Sequence, residues 1–295
     1  MSLIGVWPQI KKKYLETAEC LSQHRTWTAI LVGCLMPLLL SVSSAQAAQL
    51  NARYTLSLGI LSVGRANLTA NITHARYHVE ATLSFIGLAD IIANVKGAAA
   101  ANGTHDHAAI HPANFIAKAS AGKDERLIRM RMAKGTVSSV DIAPPLVLLP
   151  GNMPVEAHQK KNIMDPLSAL IMPVASGRGM LDAENCNRVL PVFDGGARIS
   201  IRLTYKETKT IKTKAYSGPV LVCTAQYTPI SGYQPSQKAA NYMQKNKKMS
   251  VWLAPVTGTR FLAPVRANIE TPMGAVVFEA ARWEVSTSLA EVTLN

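Results

Sequence analysis

The sequence predicts a mainly β protein: one large antiparallel meander curled into a barrel-like or wrapped sheet, with one or two short helices and one disulfide. Three observations carry that expectation. From Leu50 onward, short segments alternate apolar and polar residues with period two, and a glycine or a polar cluster divides each from the next. Helical periodicity is scarce over the same stretch. Beyond residue 47 the chain keeps two cysteines, Cys186 and Cys223, placed to staple one part of the meander.

Residues 1–47 read as an address rather than as part of the fold. Lys11, Lys12, Lys13 and Arg25 make a basic start, residues 27–40 are apolar, and Ala45-Gln46-Ala47 precedes Ala48. This is the three-part pattern of a cleaved secretory signal, and it predicts export to a periplasm. A competing lipoprotein reading would acylate Cys34 after Leu31-Val32-Gly33, but the apolar run continues well past that cysteine. The run is also shorter than the roughly 20 residues a spanning helix needs. Residues 48–295 remain as a single β-rich domain. The chain has 31 Lys+Arg against 18 Asp+Glu; four and two of these lie in the leader, so the exported part keeps a net charge of +11. A basic envelope protein meets anionic lipids, lipopolysaccharide and other envelope components, and nucleic acid is not among the expected partners.

The strands follow in order. Tyr54, Leu56 and Leu58 alternate with polar neighbours before a glycine turn, Ala66 to Ile72 make a second strand, and Tyr77 to Phe85 a third. Residues 91–101 are small and apolar throughout, which predicts a strand buried on both sides or packed closely against a neighbour. Residues 114–121, 126–132 and 137–143 continue the pattern. Residues 142–151 are apolar, lack alternation and contain prolines, so they are expected to cross or cap the core. Asp165-Pro166 to Pro173 is punctuated as a short helix, with Asp165 as its N-cap and Leu167, Leu170 and Ile171 on one face.

Asp194-Gly195-Gly196 is a hairpin turn leading to a half-buried strand with Ile199, Ile201, Leu203 and Tyr205 on one face. Residues 220–227 return Cys223 towards Cys186. In an oxidising compartment that pair predicts a disulfide, stabilising by about 3 to 4 kcal/mol in the chain-entropy account. A second short helix is expected within residues 236–248, with Ala239, Tyr242 and Met243 on one side and Lys238, Lys245, Lys247 and Lys248 on the other. Residues 249–254, 260–269 and 275–285 close the chain as three more strands.

Four stretches together resemble the domain-of-unknown-function family numbered 3108: Asp165-Pro-Leu-Ser-Ala-Leu, Cys186-Asn-Arg-Val-Leu-Pro-Val-Phe-Asp-Gly195, Tyr216-Ser-Gly-Pro-Val-Leu-Val-Cys223 and Val251-Trp-Leu-Ala-Pro255. The opening segment 54–64 is similar as well. The resemblance implies an exported protein of a Gram-negative envelope with a β-rich fold, and no catalytic residues.

The residues themselves offer little chemistry. His105, His107 and His111, with Asp106 between, are the densest metal-capable set, but they follow Asn102-Gly103 and precede Pro112 as a solvated loop would, so neither a metal nor a cofactor is expected. A Gly-x-Ser-x-Gly elbow is missing, Ser168 falls in an apolar helix, and neither a phosphate-cradling loop nor a dinucleotide fingerprint occurs. No enzyme is expected. The expected function is a non-catalytic binding or structural module of the envelope that contributes to its integrity, with Lys238, Lys245, Lys247 and Lys248 as its contact with anionic surfaces. The alternative is a carrier holding an apolar or lipid ligand in the barrel, with residues 144–150 and the Asp165 helix as lids. An envelope hydrolase is the third.

Overall fold

Every strand pairs antiparallel with its neighbours, and the turns fall where glycine and polar clusters stand. The computed structural model describes residues 46–87, 94–106, 108–147 and 150–289. The leader expectation, Cys34 included, lies outside them apart from its last two residues. A first meander runs through β1 (Gln46–Leu58), β2 (Leu61–Ile72), β3 (Arg76–Phe85), β4 (Val95–His105), β5 (Ile110–Ala121), β6 (Asp124–Ala133) and β7 (Thr136–Ala143). The short β8 (Met172–Pro173) precedes a second, formed by β9 (Arg188–Phe193), β10 (Arg198–Lys212), β11 (Ser217–Ser231), β12 (Met249–Val256), β13 (Phe261–Thr271) and β14 (Gly274–Leu289). One α-helix, α1 (Lys238–Lys245), bridges β11 and β12.

The two meanders are one 14-stranded sheet in the order β7-β6-β5-β4-β3-β2-β1-β14-β13-β12-β11-β10-β9, with β8 beside β13. The centre of the sheet is therefore the pair of its first and last strands, with Leu50 opposite Val285 and Leu56 opposite Phe278. The sheet wraps so that its two ends meet. Met164 pairs in parallel with Val192 on β9, donating its N–H to the Pro191 carbonyl at 2.8 Å, while the adjacent Ile163 N–H reaches Gly135 in the β6–β7 turn at 3.1 Å. At the tip of the β9–β10 hairpin, Gly195 (φ 103°) packs so closely on β6 that a Cβ there would lie 2.6 Å from Ile128 Cγ2. Only glycine suits both that dihedral and that contact.

Beyond Arg266 the sheet splits. β13 pairs with β14 over residues 266–271, whereas Phe261 and Leu262 pair with β8. A bulge between Trp252 and Leu253 on the β12–β13 ladder marks the bend, as an extra residue on one strand re-aims its side chains. Both faces of the split part are buried. Val220 and Val222 belong to the main core with Leu50, Val79 and Phe193, while Leu221 and Cys223 join a second cluster with Val192, Leu253 and Leu262. The Cys186–Cys223 disulfide sits in that second cluster, with Cα atoms 5.5 Å apart and both residues fully buried. It ties the turn before β9 across β10 to β11.

Three local expectations are corrected. In β4, Lys96 and Ala98 are exposed and Ala101 is buried, so the alanine run is an ordinary one-faced strand; alanine looks apolar on both faces without being buried on both. Residues 144–147 and Pro150 are exposed rather than crossing the core. Asp165 does cap a turn, but that turn is the 3₁₀ segment Ser168–Leu170, which passes at once into β8.

Candidate functional site

The wrapped sheet encloses a cavity of about 640 Å³, within the range of small-molecule sites. One wall is Tyr54, Ala66, Leu68 and Ala81 from β1 to β3. The facing wall is Leu190 and Val192 of β9, Ile199, Ile201 and Leu203 of β10, Ala225 and Tyr227 of β11, and Met249 and Val251 of β12. Ala267, Ile269 and Phe278 join the two walls along β13 and β14. Alanines at four of these positions leave the volume that larger side chains would fill. Ile199 and Ile201 are half-buried because the face predicted to meet a core meets this space instead.

Two of the polar side chains lining it, Arg266 and Tyr54, are already paired. Arg266 donates from Nη1 to Glu279 Oε1 and from Nε to Asn268 Oδ1, each at 3.0 Å, and its guanidinium lies 4.9 Å from the Trp252 ring. The Tyr54 hydroxyl donates to the Pro264 carbonyl at 2.6 Å, tying β1 to β13, and burial holds its pKa above the usual phenol value. Met243 of α1 lines the cavity although no residue of the helix is fully buried.

A buried polar latch holds the turn that closes the other side. Pro166, Ala169, Leu170 and Met172 line the cavity there. Asp165, with no exposed surface, accepts N–H groups from Leu167 at 3.0 Å and Ser168 at 2.9 Å, and its Oδ2 accepts the Ser168 hydroxyl at 2.5 Å. The Ser168 Oγ lies 2.7 Å from the Tyr77 hydroxyl on β3. Burial raises the pKa of the Asp165 carboxyl and of the Tyr77 phenol. Sequence reasoning found the Asp165 cap but not Tyr77, because 91 residues separate it from Ser168 and only the wrapping brings them together. Of the other expected lid, residues 144–150, none of the described residues, 144–147 and Pro150, lines the cavity; Leu146 lies against Gly196, beside the lining residues Asp194 and Ala197.

His105 and His111 are not brought together. His105 lies edge-on to the Phe261 ring, 4.8 Å between centroids, with Nε2 2.9 Å from the Thr73 carbonyl. His111 stands opposite Thr104 in the β4–β5 register, so it projects from the other face of the sheet and meets Asp106 Oδ2 at 3.0 Å. That hydrogen bond, aided by two backbone N–H groups, lowers the Asp106 pKa to about 2. His107 lies outside the described residues, among which no group of three metal-capable side chains forms. Lys238, Lys245, Lys247 and Lys248 are all exposed, on α1 and just after it. Asn246 anchors this end through Nδ2 to the Glu270 carbonyl at 2.8 Å.

No curated protein matches the chain. Among solved structures, a crystal structure of a beta-barrel-like protein of the domain of unknown function DUF1849 from Brucella abortus aligns with 82% of this chain and 98% of that one, at 10% identity and a TM-score of 0.45. The family model described as a protein of unknown function, DUF3108, matches residues 53–281, from within β1 to within β14, and the chain belongs to that family.

Proposed function

We propose that this protein is an exported, non-catalytic binding module of the cell envelope that carries an apolar ligand of the lipid class inside its wrapped sheet. The observation that carries the reading is the 640 Å³ cavity with aliphatic and alanine walls. Sugar sites offer stacking rings, whereas the rings here, Tyr54, Tyr227 and Phe278, stand among many aliphatic side chains that suit an acyl chain. The leader pattern and the disulfide support a periplasmic location, and cleavage before Ala48 would leave the β1 ladder intact from the Ala48–Ile72 pair onward. No chemical step is assigned to any residue. The Ser168 hydroxyl is held between Asp165 and Tyr77, with no imidazole among its partners to serve as a base.

The test is the bound content of protein purified from its own cells without detergent. Solvent extraction and mass spectrometry should release a lipid in stoichiometric amount from wild type, and much less from Ala225→Phe, which fills the cavity while keeping the melting curve cooperative. Wild-type protein free of lipid and unable to take up an alkyl probe would refute the carrier reading. The second reading, an envelope scaffold working by surface contact, is favoured by the exposed lysines around α1.

A further inference from the structure

A second cleft, of about 320 Å³, shares Ala169, Met172 and Leu190 with the apolar cavity, so a single layer of side chains divides the two. Its chemistry differs, because Arg178 and Arg188 line it. Arg188 follows Cys186 by two residues, so the disulfide fixes its backbone, and its Nη1 and Nη2 reach the Pro173 carbonyl only at 3.3 and 3.4 Å. The loop carrying Arg178 is held by Arg260, whose Nη2 donates to the Ala175 and Arg178 carbonyls at 2.6 Å each. Neither guanidinium has a carboxylate within ion-pair distance among the described residues. The acid of the cleft, Glu184, accepts from Asn187 Nδ2 at 2.8 Å instead. Burial, and then the charge of Arg178, lower the Arg188 pKa.

Two like charges lining one cleft, one of them largely out of water, cost free energy that an anion between them would offset. We infer that the Arg178–Arg188 cleft binds an oxyanion, and that it takes the phosphate or carboxylate head of the same amphipathic ligand whose chain occupies the apolar cavity. The planar guanidinium fork matches such oxygens, and Met172, unbranched and adaptable, is the member of the partition best able to yield between head and chain. The inference rests on the carrier reading and narrows its ligand to an acidic lipid.

Calorimetry on delipidated protein with three probes separates the possibilities: dodecyl phosphate, dodecanol and inorganic phosphate. Dodecyl phosphate should bind more tightly than dodecanol by about tenfold or more, as a charge-assisted contact implies. Arg178→Gln, at an exposed position, should remove most of that advantage and leave dodecanol binding unchanged. Arg188→Lys, which keeps the charge but loses the fork, should show an intermediate loss. Equal binding of the two dodecyl probes, unchanged in Arg178→Gln, would overturn the anion site and leave the carrier reading standing. Arginine-dependent binding of inorganic phosphate, with dodecyl phosphate no tighter, would assign the cleft to a free anion and overturn the shared ligand. Failure of both dodecyl probes would refute the carrier reading itself.

Discussion

Asp165 shows how one buried side chain sets the local geometry and makes it sensitive to pH. Its three accepted hydrogen bonds fix the turn that walls the cavity, yet burial outweighs them and raises its pKa above the ordinary 3.8. The folded state therefore holds the proton more tightly than the unfolded chain does. The stabilising contribution of protonation is complete below pH 3.8 and is lost as pH rises through the higher folded value. Asp165→Asn cannot titrate. Subtracting its urea-unfolding free energy from that of wild type cancels the remaining carboxylates, and the difference should grow as pH falls from neutrality towards 4. A flat difference, or one of opposite slope, would mean that the carboxyl is not raised. The cap at Asp165 was legible because Asp-Pro punctuation is local. Its partner Tyr77 was not, since in the sequence it is one more apolar position in an alternating strand.

At the scale of elements, alternation located the strands and misjudged which are buried twice. Tyr77 and Val79 read correctly as the inward face of β3. The run Val220-Leu-Val-Cys223 is continuously apolar and is buried on both faces, whereas the small residues of β4 are apolar without that burial. Side-chain size separates the two cases: valine and leucine need burial, alanine and glycine only permit it. The cavity was illegible for a related reason, since Ile199, Ile201 and Leu203 look alike in sequence whether they face a packed core or a space. The disulfide was legible from cysteine count and compartment. It closes a separation of 37 residues between two buried positions, which corresponds to about 4 kcal/mol in the chain-entropy account. Cys223→Ser should therefore lower the melting temperature by roughly ten degrees at this chain length. Alkylation of denatured, unreduced wild type should find neither Cys186 nor Cys223 free, and two labelled thiols would sink the assignment.

For the whole molecule, the open question is whether the basic charge does more than keep a wrapped sheet soluble. Met243 of α1 lines the cavity while Lys238 and Lys245 of the same helix stay in solvent, and Lys247 and Lys248 follow on the segment anchored by Asn246. This arrangement would set the α1 side of the cavity against an anionic membrane, the source of an acidic lipid. Each basic residue near such a surface contributes about 1 kcal/mol, so changing these four lysines to glutamine should weaken binding to vesicles containing anionic lipid by of order a hundredfold or more. None of the four is buried, and the thermal melt and disulfide should be unchanged. Raising the salt should weaken wild-type binding in the same way, because a Debye length of about 8 Å at 0.15 M contracts to about 3 Å at 1 M. The variant should respond to salt much less. Wild-type binding to vesicles that is absent, or indifferent to salt, would reduce the charge to a solubility feature; equal weakening by four glutamines placed on β10 would show that net charge, rather than the position of α1, is what the membrane reads.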